Sequence, residues 1–216
     1  MQLHYIMKKL KSSLTNMAVV LTCIAVVAGG ALAYVNAVTA PQIEKINHEN
    51  LSNGIKKVMG SDNINVSAPI KKTADVMGKT RNFTIYDITD GSGKNIGHAV
   101  QSSTNGFGGT LEVLTGFAPD GTILGYTILQ SAETPGLGAK ANLWFQKENG
   151  EKRTIIGKNP GQCNFTVSKD GGDIDAITAS TITSRAFLTA VKSAYDQISG
   201  NGNKLDAQSG ASQQTK

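Results

Sequence analysis

The chain has 216 residues, of which 17% are charged, and a formal net charge of +5. Lys8, Lys9 and Lys11 supply three of its 21 basic groups, and the remaining 18 face 16 acidic ones. That balance excludes a strongly basic nucleic-acid footprint, so no nucleic-acid partner is expected. Two cysteines and 24 glycines exclude a disulfide scaffold, a Cys-rich metal protein and a collagen-like chain.

No Asp, Glu, Lys or Arg occurs from Ser12 to Ile43. The apolar centre, Met17 to Val35, would span roughly 30 Å as a helix, the thickness of a bilayer's hydrocarbon core. A membrane-spanning helix is expected over residues 14–38. The lysines before it place residues 1–13 in the cytoplasm and everything after it on the far side. Ala31-Leu32-Ala33 also fits the small-x-small rule of a cleavable signal peptide. The length of the uncharged run, beyond what such a peptide requires, favours a retained anchor. Val20-Leu21-Thr22-Cys23 is a poor lipobox.

Ile43, Ile46, Leu51, Ile55 and Val58 have the spacing of an amphipathic helix that continues from the span and ends at Gly60. A turn at Ser61-Asp62-Asn63 and a weak polar stretch to Gly78 follow. Phe83–Asp87 and Ile96–Val100 read as strands joined by the Asp90-Gly91-Ser92-Gly93 turn. Thr110–Phe117 alternates as a half-buried strand, and Ile123–Leu129 forms another after Pro119-Asp120-Gly121. Thr154–Ile156 and Phe165–Val167 are short strand candidates. Ile182–Ser199 is helical, with Phe187, Val191, Ala194, Tyr195 and Ile198 on one face and Gly200 as its stop. Residues 201–216 are polar and expected to be disordered. The expected class is therefore α+β: one transmembrane helix, then one domain over 39–200 with a central antiparallel or mixed sheet and flanking helices.

Five hydroxyls, Thr178, Ser180, Thr181, Thr183 and Ser184, crowd the entry to the last helix. Unpaired amides at a helix N-terminus suit an anion such as a phosphate. An ordinary hydroxyl-rich N-cap explains the same composition. Glu133-Thr134-Pro135-Gly136-Leu137-Gly138 reads as a tight turn. No metal-ligating, dinucleotide-binding or nucleophile-elbow pattern is present, and no metal site is expected.

Asp175-Ala-Ile-Thr178-Ala179-Ser180-Thr181 resembles the flavinylation motif of the FMN-binding subunits of bacterial redox-driven ion pumps. Ala179 stands where that family usually has glycine, and Ser180 where it usually has alanine. The Glu133–Gly138 turn resembles the family's ETPGLG loop and lies in the family's order before the threonine. Gly106-Phe107-Gly108-Gly109 and the segment from Gly116-Phe117 to Asp120-Gly121 match as well. With the single N-terminal span, the resemblance covers roughly residues 10–200 and is greatest to the G subunits of Rnf complexes. The C subunits of sodium-translocating NADH:quinone reductases are similar but usually longer.

The resemblance implies an extracytoplasmic FMN-binding domain anchored in the bacterial inner membrane. It implies covalent FMN, joined through its phosphate to Thr181, by a separate flavin transferase that uses FAD. Asp175 would serve that transferase's recognition or cap the turn. Thr178, Ala179, Ser180, Ile182 and Thr183 would surround the phosphate. Glu133, Thr134, Pro135, Gly136, Leu137 and Gly138 would lie by the flavin ring, with Leu137 packing on it. Glu133 or Lys140 would influence the ring, and Trp144 would either stack on it or belong to the core or a partner interface. The implied role is electron transfer in a ferredoxin:NAD oxidoreductase coupled to Na⁺ or H⁺ translocation. Implied partners are polytopic membrane subunits, a second flavin-bearing subunit and Fe–S subunits. The alternatives are the quinone-reductase subunit and, in a different class, a membrane-anchored scaffold without flavin.

Overall fold

The computed structural model describes residues 14–146, 150 and 152–200. The expected cytoplasmic segment 1–13 and the polar tail 201–216 lie outside them. The chain forms two compact units, one up to Glu49 and one from Asn50 onward.

The first unit is the greater part of a single helix, α1 (Leu14–Met59), which contains Pro41 and continues through the expected boundary at residue 38. It is long and apolar enough to cross a membrane. Its large apolar side chains, among them Leu21, Val27 and Leu32, are exposed. The expected amphipathic face is only half used. Ile43 and Ile46 remain exposed, whereas Ile55, Val58 and Met59 are buried in the second unit. Helix α1 ends where expected, with the Gly60 N–H donating to the Lys56 carbonyl at 2.9 Å.

The second unit is a six-stranded sheet whose pairs are all antiparallel, so the mixed alternative is not the one adopted. Its strands are β1 (Ile64–Val66), β2 (Ile70–Val76), β3 (Lys79–Asp90), β4 (Asn95–Asn105), β5 (Thr110–Phe117) and β6 (Ile123–Ser131). They run in the order β1-β3-β4-β5-β6, with β2 also paired to β3. β1 and β2 occupy the stretch read as weak and polar. They are edge strands with mostly exposed side chains, so they carry no hydrophobic alternation that a sequence could display. The hairpin turns are as expected. Asp90 Oδ1 accepts from the Ser92 and Lys94 amides, and Asp120 Oδ1 from the Thr122 amide.

Both faces of the sheet are covered, which explains two separate apolar clusters. Leu111, Val113 and Phe117 of β5 point to one face, against Phe187, Val191 and Ala194 of helix α3 (Thr181–Ile198). Leu114, with Ile88 and Ala99, points to the other, against Ile55, Val58 and Met59. Thr154–Ile156 and Phe165–Val167 are not strands. Ile155 is buried in a turn that bonds the Phe145 carbonyl, and Val167 forms one isolated bridge with Ile174. Their apolar residues fill the core beneath loops and have no strand partners.

Candidate functional site

Helix α3 begins at Thr181, after a turn in which the Ser180 amide donates to the Ile177 carbonyl at 3.0 Å. Ser184, one turn into the helix, locks that turn from within. Its hydroxyl donates to the Ser180 carbonyl at 3.0 Å and accepts from the Ile177 amide at 2.9 Å. Ala179 sits at φ 61°, in the left-handed region. A β-carbon is costly there, which gives a physical reason for glycine at the corresponding place in the flavinylation motif.

The turn sorts the five hydroxyls. Ser180, Thr183 and Ser184 are buried. Thr178 is exposed on the loop, and Thr181 is half-buried at the first helical position. The Lys169 ammonium lies 3.5 Å from Thr181 Oγ1. No sequence pattern marked Lys169, because its approach depends on the return of residues 167–174 alongside the helix start.

Thr183 has a different task. Its hydroxyl donates to Glu133 Oε2 at 2.9 Å, inside the protein. Glu133 is 7% exposed, and its Oε1 accepts from the Gly108 amide at 3.3 Å. A β-carbon at Gly106 or Gly138 would collide with this carboxylate. Three segments that are distant in sequence therefore meet at Glu133: the Gly106–Gly109 loop, the 133–138 turn and the first turn of α3. Their glycines let backbone close around the carboxylate.

The 133–138 turn is present as read. The Thr134 carbonyl accepts from the Leu137 and Ala139 amides at 3.2 and 3.3 Å, with Pro135 and Gly136 at its exposed tip. Leu137 and Ile182 are 42% and 53% exposed and Phe107 is 73% exposed, an uncovered apolar set on the same three segments. Lys140 is exposed at the end of the following short 3₁₀ turn, Gly138–Lys140.

Asp175 is a structural brace in this conformation. Its Oδ1 accepts from the Ser168 hydroxyl at 2.7 Å, its amide donates to the Lys152 carbonyl, and its carbonyl accepts from the Trp144 indole N–H at 3.0 Å. Trp144 is partly buried. The ring packs against the main apolar cluster and carries the Arg153 guanidinium 4.5 Å from its centroid. Trp144 ends the short helix α2 (Ala141–Trp144), which is tied to β6 by Tyr126. That phenol donates to the Ala141 carbonyl at 2.7 Å, and burial pushes its pKa up.

Residues 106–196 match the family described as an FMN-binding domain. The chain is 34% identical over 186 residues to the G subunit of the Na(+)-translocating ferredoxin:NAD(+) oxidoreductase complex of Acetobacterium woodii, covering 82% of this chain and 87% of that protein. It is 30% identical over 197 residues to the G subunit of the ion-translocating oxidoreductase complex of Vibrio cholerae serotype O1, covering 88% and 92%. The crystal structure of Shewanella oneidensis NqrC shares the fold, with a TM-score of 0.51 at 15% identity over 72% of this chain and 99% of that one. On these relationships, the chain belongs to the family of G subunits of ion-translocating oxidoreductase complexes.

Proposed function

We propose that this protein is a membrane-anchored electron-transfer subunit carrying FMN joined to Thr181 by a phosphoester, within an ion-translocating ferredoxin:NAD oxidoreductase complex. Family membership and the FMN-binding domain match support the redox role and the cofactor. They also weigh against a flavin-free scaffold. The likeness to NqrC is one of fold alone, so the quinone-reductase assignment draws less support than the Rnf-type one receives from its relatives.

The observation that carries the attachment site is the sorting of hydroxyls. Thr181 is partly exposed and stands at the helix start, while Ser180, Thr183 and Ser184 are buried and the exposed Thr178 lies in the loop before the helix. These residues fit a flavin phosphate. Thr181 would supply the oxygen, and the first amides of α3, near Ile182 and Thr183, would supply donors for an anion. Leu137, Ile182 and Phe107 supply exposed apolar surface for a ring. The bound flavin supplies electron transfer at a potential that its surroundings tune. Glu133 and Thr183 hold the loops bearing those contacts in one arrangement. Thr178, Ala179, Ser180, Thr134, Pro135, Gly136 and Gly138 shape the two loops, and Asp175 braces the acceptor segment.

In this reading residues 14–38 of α1 cross the bacterial inner membrane, residues 1–13 are cytoplasmic, and residues 39–200 form the periplasmic domain. The lysine cluster before the span supports that orientation. A single span without internal charge provides no ion path. Translocation of Na⁺ or H⁺ therefore falls to polytopic partners, and the remaining redox steps to Fe–S and flavin subunits. Maturation requires a flavin transferase, since no histidine lies near Thr181 in sequence to act as its base.

Intact-mass spectrometry of the native protein beside a Thr181→Ala variant tests the reading. The expected result is one FMN less water on the native chain and none on the variant. An unmodified native chain from a host containing the transferase would overturn covalent attachment. An adduct that persists in the variant would move it to another hydroxyl.

A further inference from the structure

We propose that Lys169 is the charge partner of the flavin phosphate at Thr181, presented there by a turn that is fastened on both sides. The inference rests on the phosphoester reading above and adds a residue to it.

The turn is the 3₁₀ segment Ser168–Asp170, held by the Val167–Ile174 bridge behind it. On one side, Ser168 donates its hydroxyl to Asp175 Oδ1 at 2.7 Å. On the other, Arg185 grips Asp170 with two parallel bonds, Nε to Oδ2 and Nη2 to Oδ1, each 2.7 Å. That bidentate pair joins the turn to the second turn of α3 and lies one residue from Lys169. It also consumes the Arg185 charge, whose neighbour Asp170 is held below the usual carboxylate range by it. Among the described residues Lys169 makes no ion pair with a carboxylate; its contact is Thr181 Oγ1, 3.5 Å away. A cation so placed faces the phosphate oxygens once that hydroxyl is esterified.

In the attachment step, Thr181 Oγ forms a bond to the flavin-side phosphorus of FAD. The pyrophosphate P–O bond breaks, AMP leaves with the bridging oxygen, and the hydroxyl proton passes to the transferase's base or to solvent. Lys169 lowers the cost of bringing phosphate charge to this hydroxyl. It then remains paired with the single negative charge of the product.

The test uses the full-length chain in detergent, produced without the transferase and then incubated with transferase and FAD. Mass gain is followed over time for wild type, Lys169→Gln, Lys169→Glu and Lys169→Arg. The expected slowing in Lys169→Gln is on the order of tenfold, the scale of one charge-assisted hydrogen bond, with a larger effect in Lys169→Glu and recovery in Lys169→Arg. After loading to completion, the phosphodiester ³¹P resonance is expected to shift between wild type and Lys169→Gln.

Wild-type loading rates in both Lys169→Gln and Lys169→Glu overturn the proposal. So does slowed loading with an unmoved ³¹P resonance, which assigns Lys169 to transferase docking. A wild-type chain that gains no mass removes the phosphoester reading and the role of Lys169 together, whereas the other two results remove only the latter.

Discussion

Ala179 holds a left-handed backbone with a β-carbon attached, at φ 61°. Such a conformation costs about 1–2 kcal/mol for a non-glycine residue, while glycine loses part of that advantage through its greater unfolded-state freedom. Ala179→Gly is therefore expected to stabilise the domain by up to about 1 kcal/mol, read as a raised thermal midpoint of the full chain in detergent. A lowered midpoint would contradict the strain assigned to this turn. At the same scale, Ser180 differs from the alanine common in the flavinylation motif, but its burial separates its hydroxyl from the accessible one at Thr181. A sequence shows that two hydroxyls are adjacent. Only the fold shows which of them faces out.

The end of α1 shows how an element is seated. Its Val58 carbonyl lies directly over two sheet glycines, Gly116 of β5 and Gly125 of β6. An added β-carbon would stand 2.7 Å from that oxygen at Gly116 and 2.8 Å at Gly125. Neither contact can relax by rotating a side chain, since the obstacle is backbone. Gly116→Ala is expected to cost about 2 kcal/mol through overpacking, measured by chemical or thermal unfolding of the full chain. An unchanged midpoint would mean that the helix end shifts freely on the sheet. Much of this architecture is legible in the sequence. β5 coincides with the alternating Thr110–Phe117 stretch, and α3 with the amphipathic run after Thr181. β1 and β2 were not legible, because edge strands bury too little to impose a pattern. Residues 154–156 and 165–167 misled for the opposite reason: Ile155, Phe165 and Val167 are buried although neither segment is a strand.

At the scale of the whole molecule, a buried carboxyl on α3 links stability to pH. Asp196 on α3 is 2% exposed, and burial raises its pKa above the ordinary carboxylate value, partly offset by Lys192 at 3.5 Å. A raised folded-state pKa means that the native protein holds this proton more tightly than the unfolded chain does. The corresponding stabilisation is complete below the unfolded value of about 4 and is lost as pH rises through the native value. Stability of the wild type is thus expected to decline over that interval relative to Asp196→Asn, whose side chain does not titrate. Thermal midpoints of both proteins across a pH series would show the two curves diverge. Parallel curves would refute the assignment.

Hydrophobic periodicity, turn chemistry and an uncharged apolar run are local properties, so residue order alone specifies the anchor-length helix, the principal strands, the last helix and the two loops around the candidate site. What it could not contain was the closure of those loops on one another. Glu133 and Thr183 are fifty positions apart, and Lys169 is twelve from Thr181, yet each pair is in contact. Such contacts arise because burying both faces of the sheet fixes where its connecting loops return. The return of those loops therefore fixes which hydroxyls are enclosed, that Glu133 is enclosed with Thr183, and that Trp144 braces the Asp175 segment.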